Sequence, residues 1–101
     1  MADQADTKTT QMRDDARISR QGDWLSADTG DGCVMMSPAI ARYIGLSQTG
    51  SRIWDLLETP LTLAELCARL SETYDIDARN VRPDVVEFVV GLAERGVLSV
   101  D

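Results

Sequence analysis

Histidine is absent from the 101 residues of this chain, and cysteine occurs only twice. Histidine is the commonest general base near neutral pH and the commonest metal ligand, so its absence removes the usual route to both chemistries. Cys33 and Cys67 stand alone and far apart, without a second thiol at metal-ligand or redox spacing. Cys67 falls on the apolar side of a predicted helix, where a free thiol behaves as a small hydrophobe. Glycine-rich phosphate loops and nucleophile elbows are missing as well. No catalytic residue, metal or cofactor is therefore expected. Positive charge is scarce: ten Lys and Arg face seventeen Asp and Glu, for a net charge of −7. That balance disfavours DNA, RNA and anionic membrane surfaces as partners. No apolar run approaches the ~20 residues of a membrane span. The opening MADQADTKTTQMRDDAR has no apolar segment of the kind a secretory signal requires. The expected setting is the cytoplasm.

What remains is one small domain. Residues 1–15 are polar and aperiodic and read as a disordered tail; residues 16–101 hold the folded part. Ala16–Arg20 is a weak strand candidate. Trp24–Ala27 follows a Gln21-Gly22-Asp23 turn and either extends that strand or pairs with it. The run Asp28-Thr29-Gly30-Asp31-Gly32 is a tight-turn signal, because glycine accepts the positive φ that such turns require. Cys33–Met36 and Ala41–Leu46 follow as strands, the latter with Ile44 and Leu46 on one face and Tyr43 and Gly45 on the other.

The pattern changes at Ser47, a good helix cap before Ile53, Trp54, Leu56 and Leu57. A second helix opens on Thr62-Leu63-Ala64-Glu65, a capping box. Its apolar stripe is Leu63, Leu66, Cys67, Leu70 and Tyr74. A third helix is expected from about Val81 or Pro83, because Arg82 precedes proline and is pushed away from helical geometry. It ends at Arg95, before Gly96. Val97, Leu98 and Val100 are expected to pack back on the body. At about 100° per residue the apolar side chains of this helix span roughly 200°, wider than the stripe of an ordinary surface helix. Either the helix is buried on two sides, or part of the arc waits for a partner.

Three short antiparallel strands followed by three helices make an α+β, winged helix-turn-helix-like fold. Its usual role is DNA binding through the last helix, yet Arg82 and Arg95 are outnumbered there by Asp84, Glu87 and Glu94. A winged-helix regulator is one alternative reading. A structural subunit that dimerises through the apolar helix is another.

The run Leu46-Ser47-Gln48-Thr49-Gly50-Ser51-Arg52-Ile53-Trp54-Asp55-Leu56-Leu57 resembles the L-N-x-T-G-x-x-I-W-x-x-L signature of the PqqD-like family. Leu61–Leu66 resembles that family's second-helix opening. Tyr74–Asp77, Val81, Asp84-Val85, Phe88, Leu92 and Gly96-Val97-Leu98 resemble its last helix and end. Ser47 replaces the frequent Asn, and Glu58-Thr59-Pro60 replaces a glycine-containing turn. The resemblance covers about residues 16–100 and rests on order and spacing rather than on one motif. It implies a RiPP recognition element: a non-catalytic adaptor that binds the leader of a ribosomally made precursor peptide. The implied partners are a leader protease and a cyclase in lasso peptide biosynthesis, or a radical SAM enzyme in pyrroloquinoline quinone biosynthesis. The tail and the Asp28–Gly32 turn look more like the lasso type.

In that family the leader adds as a strand beside the third strand and packs on the third helix. The expected site is then Arg42, Tyr43, Ile44 and Gly45 on the strand. On the helix, Phe88, Leu92 and Val85 are expected in the core, with Val86, Val89 and Val90 facing the leader. Arg82 is expected to pair with an acidic leader residue.

Overall fold

In the computed structural model the structure describes residues 12–101, and the first part of the expected tail lies outside them. Strands come first: β1 (Arg17–Arg20), β2 (Leu25–Asp28), β3 (Gly32–Ser37) and β4 (Arg42–Ser47). Helix α1 (Gln48–Leu56), the short strand β5 (Leu61–Thr62), α2 (Leu63–Tyr74), α3 (Ala78–Glu94) and the strand β6 (Leu98–Val100) follow.

Among the described residues two three-stranded sheets form, not one. β2, β3 and β4 make the expected antiparallel meander. β1 leaves it and lies between β5 and β6, with Arg17 opposite Thr62 and Ile18 opposite Val100. The apolar segment after Gly96 thus returns to the body as a strand. Its turn needs Gly96, whose φ of +77° is unfavourable for residues with a side chain. Ile18, Leu98 and Val97 are fully buried beneath this second sheet. Burial of side chains of this size contributes about 1.5–3 kcal/mol each.

The helix starts follow local chemistry. Ser47 accepts a hydrogen bond from the Gly50 N–H at 3.2 Å and caps α1. The Thr62 hydroxyl accepts from the Glu65 N–H at 3.1 Å, and the Glu65 carboxylate accepts from the Thr62 N–H at 2.9 Å. Arg20 holds the far end of α1 to β1: its guanidinium donates to the Trp54 carbonyl at 2.6 Å and lies 4.2 Å from the centre of the Trp54 ring.

Helix α3 begins earlier than expected. Asp77 caps it, and Pro83 sits inside it. Arg82 is helical despite preceding a proline. Its side chain reaches residues distant in sequence: Arg82 donates to the Asp14 carboxylate at 2.9 Å and to the Met12 carbonyl at 2.6 Å. The same contacts correct the boundary of the tail. Residues 12–15 are bound to the body, with the Asp14 carbonyl accepting from the Ala64 N–H at 3.0 Å and Met12 packed against the core.

Several carboxylates that fix these turns titrate low. The Glu65 carboxyl is held below its ordinary value chiefly by the Thr62 N–H, and Asp77 by Arg79. A carboxyl whose pKa is lowered on folding stabilises the fold above its unfolded value, about 4, and loses that contribution as pH falls through the folded value. The melting temperature is therefore expected to be flat between about pH 7 and 5 and to drop below about pH 4. Calorimetry across that range checks this, and a melting temperature that rises on acidification would contradict it.

Candidate functional site

Among the described residues strand β4 borders only β3, so its far side is an open sheet edge there. Ladder alternation determines which backbone groups face outward. The Thr29 N–H donates to the Gly32 carbonyl, so Gly32, Val34 and Met36 turn their backbone groups to β2. Cys33, Met35 and Ser37 then bond to Leu46, Ile44 and Arg42. Tyr43, Gly45 and Ser47 are left with N–H and C=O groups at the edge. Unpaired edge groups of this kind are a template for another strand.

The side chains alternate with the same period. Ile44 turns inward and is 9% exposed, beside the fully buried Met35. Tyr43 turns outward and is 71% exposed. The buried Ser37 hydroxyl donates to the Asp23 carboxylate at 2.5 Å, and the other Asp23 oxygen accepts from the Ala39 N–H at 3.1 Å. The Ser37 bond holds the Asp23 carboxyl below its ordinary value. This clamp fixes the turn before β4 and the adjoining Trp24.

One cleft lies between the start of this edge and the end of α3, and a second lies on the flank of α3. The first, of about 590 Å³, lies by Ile40, Tyr43, Ile44 and Trp24 and is rimmed by Arg42, Glu94 and Arg95. The other, of about 430 Å³, is lined on α3 by Asp84, Glu87, Phe88, Gly91 and Leu92, and again reaches Arg95. Arg95 borders both, so the two clefts follow one another along α3, and together they are called the groove below. Phe88 closes the α1 end: a side chain at Gly50 would strike its ring, with Cε1 only 2.8 Å from the added carbon.

The wide apolar arc of α3 is buried at its centre and half-open at both margins. Val85, Val86, Val89 and Leu92 are buried, while Phe88 and Val90 are half-buried. The helix is covered on two sides, by α2 and by β6. The expectation for Val86 and Val89 is thus corrected: they are 1% and 0% exposed and present no surface to a ligand. Val90 opens on a different cleft, shared with Met12, Leu98 and Val100. Phe88, expected in the core, packs against it and also lines the second cleft. The Arg82 guanidinium is held by the Asp14 carboxylate and the Met12 carbonyl. Arg42, Tyr43, Ile44 and Gly45 do share one strand along the groove. Sequence reasoning missed Arg95 and Ile40. The signal for Arg95 was its place at the end of α3, which runs antiparallel to β4 and returns to the start of that strand.

Among the described residues no group of three or more His, Cys, Asp and Glu could hold a metal ion, and no helix is long and apolar enough to cross a membrane. Both cysteines are buried, and burial pushes the Cys67 thiol up.

Residues 32–98 match the family model of coenzyme PQQ synthesis protein D, PqqD. The chain belongs to the PqqD family. A solved structure of TbiB1 in complex with the TbiA(beta) leader peptide superposes with a TM-score of 0.71 and 30% identity, over 80% of this chain and 94% of that one. The PqqD truncation of Methylobacterium extorquens PqqCD, described as a functional and stand-alone RiPP recognition element, matches with a TM-score of 0.66. It covers 91% of this chain and 98% of that one at 21% identity, a likeness of fold. No curated protein sequence matches the chain.

Proposed function

We propose that this chain is a non-catalytic adaptor that binds the leader of a ribosomally made precursor peptide as an added strand on β4. The carrying observation is the open β4 edge along a groove whose other wall is α3. Main-chain pairing supplies affinity, and pockets for alternate side chains supply selectivity. A relative at 30% identity bound to a leader peptide supports the reading. The bound leader is presented to modifying enzymes in the cytoplasm, where the ribosome delivers the precursor. We assign these to the lasso type, a leader protease and a cyclase. A second reading, with a radical SAM enzyme in quinone cofactor synthesis, is favoured by the description of the matched family. Co-purification of tagged protein from its native host distinguishes the two by which enzymes accompany it.

Gly45→Pro tests the edge directly. The Gly45 N–H faces outward, so proline there removes a donor from the edge and leaves the β3 pairing intact. A lost hydrogen bond of about 1–1.5 kcal/mol, with the added ring in the way, predicts roughly tenfold or weaker leader binding. The melting temperature should change little. Fluorescence polarisation with the cognate leader measures it, and unchanged affinity would move the site away from β4.

A further inference from the structure

The groove is electrically polar along its length. At the start of β4 lie Arg42 and Arg95. Neither guanidinium has a partner among the described residues, and Glu94, the other charge in that cleft, has a partner of its own. On the opposite stretch of α3 lie Asp84 and Glu87, which form no ion pair with a described residue. Between these ends the walls are apolar: Ile44 on the strand side, Phe88 and Leu92 on the helix. Phe88 touches the position of Gly50, which places the acidic stretch toward the Ser47 end of β4.

Charges left uncompensated at opposite ends of a groove favour a ligand of the opposite polarity and penalise the reverse. The helix rises about 1.5 Å per residue, so Asp84 and Arg95 are separated by roughly 16 Å along the axis. About five residues of an extended strand cover that span. A strand added to an antiparallel sheet pairs best antiparallel, which would run the ligand from the Ser47 end toward Arg42.

Resting on the strand-addition reading above, we infer that the groove selects an extended segment with a basic residue first, apolar residues at alternate positions, and an acidic residue about four or six positions later on the same face of the strand. Arg42 and Arg95 are the specificity determinants for the acid, and Asp84 and Glu87 for the base.

A library of random twelve-residue peptides selected on the immobilised full chain tests this without knowledge of the natural precursor. The expected result is enrichment of the order basic, apolar, acidic. The double variant Arg42→Glu/Arg95→Glu should bind the enriched peptides on the order of tenfold more weakly, and peptides with the acid replaced by lysine should restore the affinity. Both clusters are exposed, so the variants should melt like the parent. Enriched peptides without charge order, in the reverse order, or indifferent to the double variant would overturn the polarity while leaving strand addition in place. Peptides that bind Gly45→Pro as well as the parent would overturn strand addition itself.

Discussion

Val86→Glu is expected to leave no stably folded protein. Val86 is 1% exposed and packs in the core among Val85, Val89 and Leu92 of the same helix and the side chains of neighbouring elements. The substitution removes an apolar contribution of about 1.5–3 kcal/mol. It also buries a carboxylate, at an effective cost of several kcal/mol, or forces it to stay protonated. A domain of this size has a total stability of about 5–15 kcal/mol, so the change consumes most of it. Phe88→Glu is expected to behave differently. Its ring is half-buried on the groove wall, and a glutamate there reaches solvent. A folded protein with a lower melting point and leader binding weakened about tenfold or more should result. Circular dichroism melts of both variants with polarisation binding of Phe88→Glu decide between the two sides of α3. A normal melt for Val86→Glu would show that the valine side is the open one.

The second large effect is expected at Gly32, which pairs with Ser47 where β4 passes into α1. A methyl group at Gly32 would overlap the Leu46 carbonyl oxygen and approach the Ser47 carbonyl carbon to 2.9 Å. Both obstacles are backbone, so no rotamer change relieves them. β4 must move away from β3, taking with it the cap of α1 and the outer edge. Gly32→Ala is expected to cost about 3 kcal/mol, the upper end for overpacking. It should also weaken leader binding, because the edge shifts against α3. Gly45→Ala is the control, since an added carbon there meets nothing within 4 Å. Urea melts measure both, and a Gly32→Ala midpoint equal to that of the control would refute the close approach.

The parts legible in the sequence are those decided by neighbours in the chain. Ser47, Thr62 and Glu65 act within three residues, and their caps stand as the spacing implied. The meander was legible because turn residues sit between alternating runs. The partner of β1 was not. Arg17–Arg20 is too short to announce a mate, and its mates are β5 and β6, far along the chain. Arg82 looked available because its acceptor, Asp14, is 68 positions away. The arc of α3 was read correctly in width but not in orientation. A helical wheel gives the order of side chains around the axis; which sector is covered depends on where α2 and β6 pack. Burial chose the middle of the arc, and the groove was left a margin that includes Phe88.

The alternation along β4 constrains how far a bound chain can slide. Only Tyr43, Gly45 and Ser47 offer main-chain groups at the edge, at every second residue. A strand shifted by one residue would present each side chain to the opposite face, so the smallest tolerable slip is two residues, about 7 Å. On the strand-addition reading, phase, and not composition alone, is therefore what the edge would read. Whatever follows the bound segment leaves the groove at a fixed point, and its distance from any enzyme seated nearby is counted in whole residues. The strand would then serve as a ruler laid against the precursor, with graduations two residues apart.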